Sequence, residues 1–249
     1  GWRVPFLLSA VLVMIGLWIR LSVDESPLFK EALAAAERRK AEQRAERPPL
    51  VAVVRDHWRD ILVAMGARMA ENISYYVITA FVLTYCVEHL KIDKQTSLNA
   101  VLIGSAVQFC LIPLFGALSD RVGRKPVYLV GAVGVGLWSW AFFALLDTRS
   151  FPALVVAVTV GLIFHSAMYA PQAAFFSELF ATRMRYTGAS IGAQLSSVAA
   201  GAPAPLIATA LWGSYGNPTP ISVSAGLASR ITLTDLLAAR ETRCTYPGA

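Results

Sequence analysis

Hydrophobic and polar positions along this chain fall in long blocks. Uncharged runs cover residues 4–19, 96–119, 126–146, 151–177 except for one histidine, and 186–229, and a further mainly apolar run covers 61–87. Hydrocarbon offers no partner for backbone N–H and C=O groups, so each block that enters a bilayer must close its own hydrogen bonds as a helix. The first run spans roughly 24 Å at the helical rise, slightly short of a bilayer core unless flanking residues contribute. The run 186–229 is too long for one crossing, and Gly, Asn and Pro crowd between 213 and 220, so the chain is cut there. That leaves a last span, 221–239, carrying Arg230 and Asp235 together with several Ser and Thr. Two charges in mid-span oppose insertion by about 5 kcal/mol, so either neighbouring helices shelter this segment or the chain end is degenerate.

The pattern predicts about seven crossings, with the beginning outside and the tail inside. Between two of them lies the turn 116–126, G-A-L-S-D-R-V-G-R-K-P, which makes 96–146 a hairpin through the bilayer. Its glycines are expected to let the two helices approach closely, and Pro126 suits the first turn of the second. Lys and Arg support the orientation: nine lie between 20 and 59, three in the turn and two at Arg183 and Arg185, against Arg3, Lys91, Lys94 and Arg149 outside.

Composition agrees with this class. Charged residues make up only 15% of the 249, and mean hydropathy is +0.55, whereas a soluble domain carries nearer a quarter charged. The formal charge of +6 requires no nucleic-acid partner, because the basic residues cluster in alternate loops. Cys86, Cys110 and Cys244 fit neither a disulfide framework nor a metal spacing. No starter Met, basic leader or cleavage site precedes the first run, so it does not read as a signal peptide, and the chain looks like a piece that begins in mid-protein. The fold class is therefore an all-α polytopic membrane protein. Its parts are a span over 1–20, a charged and partly helical cytoplasmic linker over 21–60, a transmembrane bundle over 61–240 and a tail over 241–249. In the linker, Ser26 and Pro27 cap a helix rich in Ala, Glu, Arg and Lys that Pro48 and Pro49 stop.

Candidate chemistry lies inside the spans, where ionisable side chains are costly and should face the bundle interior or water. Arg68 and Glu71 are three residues apart, on one helical face where they can pair, and Asn72 follows. His165 and Tyr169 share another face, with Pro171 freeing a backbone carbonyl and Gln172 beside it. Gln108 and Gln194 supply further neutral polar contacts; a lone amide in a span can also simply satisfy itself across a helix interface. The glycines of 131–136 have no strand before them and an apolar run on both sides, so they read as helix packing rather than a nucleotide loop.

The pattern Gly116, Leu118, Asp120, Arg121, Gly123, Arg124, Lys125, Pro126 resembles the loop motif of the major facilitator superfamily as it recurs in the second half of those transporters. The stretches 1–10 and 24–29 are similar to the sixth span and exit of its metabolite:proton symporter family, the group that includes shikimate, alpha-ketoglutarate and proline-betaine transporters. Likewise A-R-M-A-E-N-I-S-Y-Y (67–76) resembles the seventh span, and M-Y-A-P-Q-A-A-F-F-S-E-L-F (168–180) with R-M-R-Y-T-G-A-S-I-G-A-Q (183–194) the tenth and its continuation. Only 239–243 resembles the exit of the family's last span.

The resemblance implies the sixth span plus the carboxyl-terminal six-helix half of a symporter that imports organic acids, zwitterions or osmolytes across the bacterial inner membrane, with its tail cytoplasmic. The proton is then the coupling ion, no bound cofactor is needed, and the partners are the small solute, the bilayer and the amino-terminal half. Asp120 would accept from Arg121 and Arg124 in a cytoplasmic latch that Glu178, Arg183 and Arg185 join. Glu71 is the first candidate for the coupling group, because a carboxyl beside an arginine changes its proton affinity when the pair moves. Arg68 is alternatively a substrate carboxylate ligand. An exporter of the same superfamily would share the turn but not need the 67–76 resemblance, and a truncated, non-transporting fragment is the other alternative. An enzyme is not expected, since no nucleophile with a nearby base and no metal-ligand cluster is legible.

Overall fold

The computed structural model describes residues 4–22, 55, 58–179 and 185–239. Residues 1–48 and 49–249 are separate units. In the first, helix α1 is Val4–Ser22. The linker helix expected over 28–47 and the tail 241–249 lie outside the described residues.

The second unit is helical throughout. α2 (Trp58–Ala67) and α3 (Met69–Tyr76) form one rod broken at Arg68, and the rod continues through wide π turns at Val77–Phe81 and Tyr85–His89. α4 (Lys94–Val122) starts where the Asp93 carboxylate accepts from the Gln95 and Thr96 amides, at 2.8 and 3.2 Å. Gly123 ends it at φ 112°, a conformation that favours glycine, and α5 (Arg124–Asp147) begins at once with Pro126 in its first turn. α6 is Phe151–Leu179 and passes through Pro171 without a break. α7 (Arg185–Ser196) leads through a π turn at Ser197–Gly201 to α8 (Ala204–Tyr215), which the left-handed Gly216 terminates. α9 is Thr219–Ala238. The cut expected between 213 and 220 is thus where the chain turns.

Among the described residues, five helical segments are long and apolar enough to cross a membrane: Lys94–Val122, Arg124–Asp147, Phe151–Phe176, Thr187–Tyr215 and Thr219–Ala238. With α1 and the interrupted rod 58–89, each apolar run of the sequence has its helix.

Small residues set the tightest contacts. Gly131 lies against Phe164 and Met168 of α6, and Gly134 against the Phe164 ring, so the 131–136 glycines serve helix packing. Gly116 differs from expectation. A side chain there would meet nothing within 4 Å, and the bend is made by Gly123 at its positive φ.

The last span is a full helix that packs on its neighbours, with Leu236 in one of the apolar clusters. Ser222, Ser229 and Thr232 are buried, and Ser222 Oγ donates to Ser139 O at 2.8 Å. Asp235 packs over Gly66, where no Cβ would fit. Arg230 is exposed and lies eight residues from the helix end.

Two apolar clusters fill the bundle. One gathers Phe81, Tyr85, Phe142, Phe143, Leu154 and Leu162, the other Ile61, Tyr128, Met168, Phe175 and Leu236. The rims are held differently. At the Tyr85 rim, Tyr85 donates to Asp147 at 2.6 Å and Trp212 Nε1 to His89 Nδ1 at 2.8 Å. At the other rim Arg124 Nη1 meets Glu178 Oε1 at 2.5 Å, and Lys125 Nζ donates to Ala239 O.

Candidate functional site

Between the two apolar clusters lies a buried polar set. His165 sits on α6 between Leu162 of one cluster and Met168 of the other. Gln108 and His165 are each the middle residue of a 29-residue helix, so the set lies midway along α4 and α6.

Glu71 is its centre and is only 4% exposed. Its Oε2 accepts from Arg68 Nε at 3.3 Å and from Gln172 Nε2 at 3.3 Å, and its Oε1 meets His165 Nε2 at 3.2 Å. Gln108 Nε2 stands 2.7 Å from His165 Nδ1. With Gln108 donating there, Nδ1 is the acceptor, so the neutral imidazole carries its proton on Nε2 and donates it to Glu71. The carboxylate therefore has three donors from two helices, which is what an acid buried this deeply requires. Gln172 Nε2 also reaches the Tyr128 hydroxyl at 3.2 Å, and that hydroxyl donates to Ala67 O at 2.8 Å.

The break at Arg68 positions the acid. In an unbroken helix Ala70 N–H would bond Gly66 C=O. Instead the Thr232 hydroxyl of α9 stands between them, accepting from Ala70 N at 3.0 Å and donating to Gly66 O at 2.8 Å. Met65 O accepts from Ser196 Oγ of α7 at 3.1 Å, and Ala67 O from Tyr128 of α5. Side chains from three helices thus satisfy the carbonyls that the interruption frees, as backbone inside a membrane must be.

Glu71, Arg68, Gln108, His165 and Gln172 are therefore brought together. Asn72 is buried but faces α7, donating to Ser196 Oγ at 3.2 Å. Tyr169 stacks on His165 with ring centroids 5.7 Å apart and is 46% exposed, and Tyr75 flanks the same ring at 5.0 Å. Gln194 is exposed and takes no part in the Glu71 network. Tyr128, Ser196 and Thr232 were not singled out from sequence. A tyrosine or threonine in a span must find a polar partner, which is the signal that marks them. Among the described residues no group of three or more His, Cys, Asp or Glu is placed to hold a metal.

At the basic turn, Arg124 bridges two acids, Glu178 at 2.5 Å and Asp120 at 3.8 Å. The main acceptor is Glu178, not Asp120, whose side chain is 70% exposed. Arg121 is exposed, Arg185 opens α7, and Arg183 lies outside the described residues.

The Major Facilitator Superfamily profile matches residues 1–205. The shikimate transporter of Escherichia coli is 33% identical over 215 residues, covering 85% of this chain and 47% of its own length. The inner membrane metabolite transport protein YhjE of the same organism is 32% identical over 252 residues, 98% of this chain and 54% of the relative. The chain spans about half the length of the curated relatives it matches.

Proposed function

The chain belongs to the major facilitator superfamily, and from that premise we propose that it is the sixth span and carboxyl-terminal half of a proton-coupled importer. Its cargo is a small organic acid or zwitterion, carried across the inner membrane into a cytosol that also holds the tail. The observation that carries the reading is the Glu71 network: a buried acid at mid-depth, shared between a broken rod and α6, with an arginine and a histidine as direct partners. Such an acid can exist charged or neutral only as its donors move, which is what links proton binding to a change of access. The half exposed Tyr75 and Tyr169 beside His165 give the solute a lining, and Arg68 gives it a cation. A neighbouring cavity lined by Ser74, Trp138, Phe142 and Gly161 has only about 30 Å³, room for water but not for a metabolite. The solute therefore needs a second wall, which the amino-terminal half supplies. The proton is the coupling ion, and no bound cofactor takes part.

The test is Glu71→Gln in the full-length transporter reconstituted in vesicles. Uptake against a gradient is lost while exchange of labelled solute persists. A variant that still concentrates solute removes Glu71 as the coupling group. Vesicles of both orientations separate import from export, and a chain expressed without its other half that moves no solute distinguishes a half-carrier from a complete one.

A further inference from the structure

The rod break and the buried acid are joined by one directed chain of hydrogen bonds, and the donor count along it has a consequence. We propose that Gln172 and Tyr128 are positioning residues that transmit protonation of Glu71 to the backbone at Ala67, making the break a proton-operated hinge. This rests on the reading of Glu71 as the coupling group.

With Glu71 ionised, every member of the chain has one role. Gln172 Nε2 has two hydrogens, one toward Glu71 Oε2 and one toward the Tyr128 oxygen. Tyr128 has a single hydrogen, and it goes to Ala67 O. One proton from water added to Oε2 turns that acceptor into a donor. The Gln172 amide then presents its oxygen to the new O–H by a half-turn about its last torsion. That oxygen now stands where Nε2 stood, facing Tyr128 as an acceptor. The Tyr128 hydroxyl bonds it only by giving it the one hydrogen that held Ala67 O, so the Ala67 carbonyl is released. Ala67 is the last residue of α2, immediately before the break. When water removes the proton on the other side, the same rotations run backward.

The surroundings leave this route open. Arg68 lies on the rod itself and His165 comes from α6, and both contact Glu71 directly. Tyr128 comes from α5 and Asp235 from α9, the latter over Gly66. α7 presents the neutral Ser196, and α4 the neutral Gln108. Tyr128 and Gln172 are both buried, at 0% and 5% exposure, so water does not replace either link. Thr232 bridges Gly66 and Ala70 across the break, which confines the released motion to a bend about residue 68.

The experiment is a spin-label distance across the break in the full-length protein, native cysteines replaced by serine, with labels at the exposed positions Leu62 of α2 and Glu88 beyond α3. The parent distance shifts and broadens as pH falls. Glu71→Gln pins it at the low-pH value, and Tyr128→Phe gives the broad distribution at every pH. Gln172→Met leaves the Tyr128–Ala67 bond in place but cuts it off from Glu71, so it must hold the narrow high-pH distance at every pH, the opposite of Tyr128→Phe, and a shared folding defect cannot produce both results. A parent distance that ignores pH overturns the hinge. If Glu71→Gln still responds to pH, the reading of Glu71 fails. If Glu71→Gln is pinned while Tyr128→Phe and Gln172→Met respond like the parent, Glu71 stands and the relay through Tyr128 is wrong.

Discussion

Replacing Gly131 by alanine tests the helix packing most directly. The added Cβ would lie 2.6 Å from Met168 Cγ, 2.7 Å from Phe164 O and 2.9 Å from Met168 N. Two of these three atoms are backbone, so no rotamer change relieves them and α5 must move away from α6. The shortfall against ordinary contact at Phe164 O is about 0.7 Å, and overpacking of this kind costs about 1–3 kcal/mol. Alanine returns about 1 kcal/mol through its helix propensity, leaving a net loss of up to about 2 kcal/mol. For a bundle of this size that lowers Tm by up to about 8 °C. Gly116→Ala is the matched control: nothing lies within 4 Å of its added Cβ, so it retains the propensity gain and holds or raises Tm. The assay is thermal unfolding of the purified full-length protein in detergent, both variants side by side. Equal shifts of the same sign would refute the close α5–α6 approach.

Two further outcomes follow from the basic turn. Because Arg124 meets Glu178 at 2.5 Å but Asp120 at 3.8 Å, Glu178→Gln should slow solute turnover about ten- to a hundredfold more than Asp120→Asn, the equivalent of about the 1.5–3 kcal/mol of a charge-assisted bond, without altering which solute is carried; equal rates for the two variants would remove Glu178 from the latch. A cysteine placed at Arg121 should react with an impermeant thiol reagent only from the cytosolic side of sealed cells, and labelling from outside would invert the topology.

The sequence was most readable where a single helix decides the matter. Apolar runs located the helices, the three-residue spacing of Arg68 and Glu71 brought them within 3.3 Å, and the Gly and Pro crowding before 221 marked a true turn. It was least readable where distant segments act together. Nothing local to Arg68 foretells a broken rod, because its wedge is Thr232, 162 residues from Ala70. For the same reason Ser222 and Thr232 of the last span had no assigned role: their partners, on α5 for the one and on α2 and α3 for the other, lie far off in the chain. Tyr128 was hidden in a run whose apolar neighbours explained it as core. Gln194 shows the opposite failure, a polar residue in a span whose face no spacing rule could assign.

The unlike rims carry a consequence for how the surroundings act on the molecule. One rim joins a guanidinium to a carboxylate and an ammonium to a carbonyl, so dissolved ions and acidic lipid headgroups compete for the same atoms. The contacts at the Tyr85 rim pair no cation with an anion, and an indole clasped to an imidazole does not register ionic strength. The two ends of the bundle thus answer the electrolyte differently, the clasps at one competing with dissolved ions and the pair at the other not.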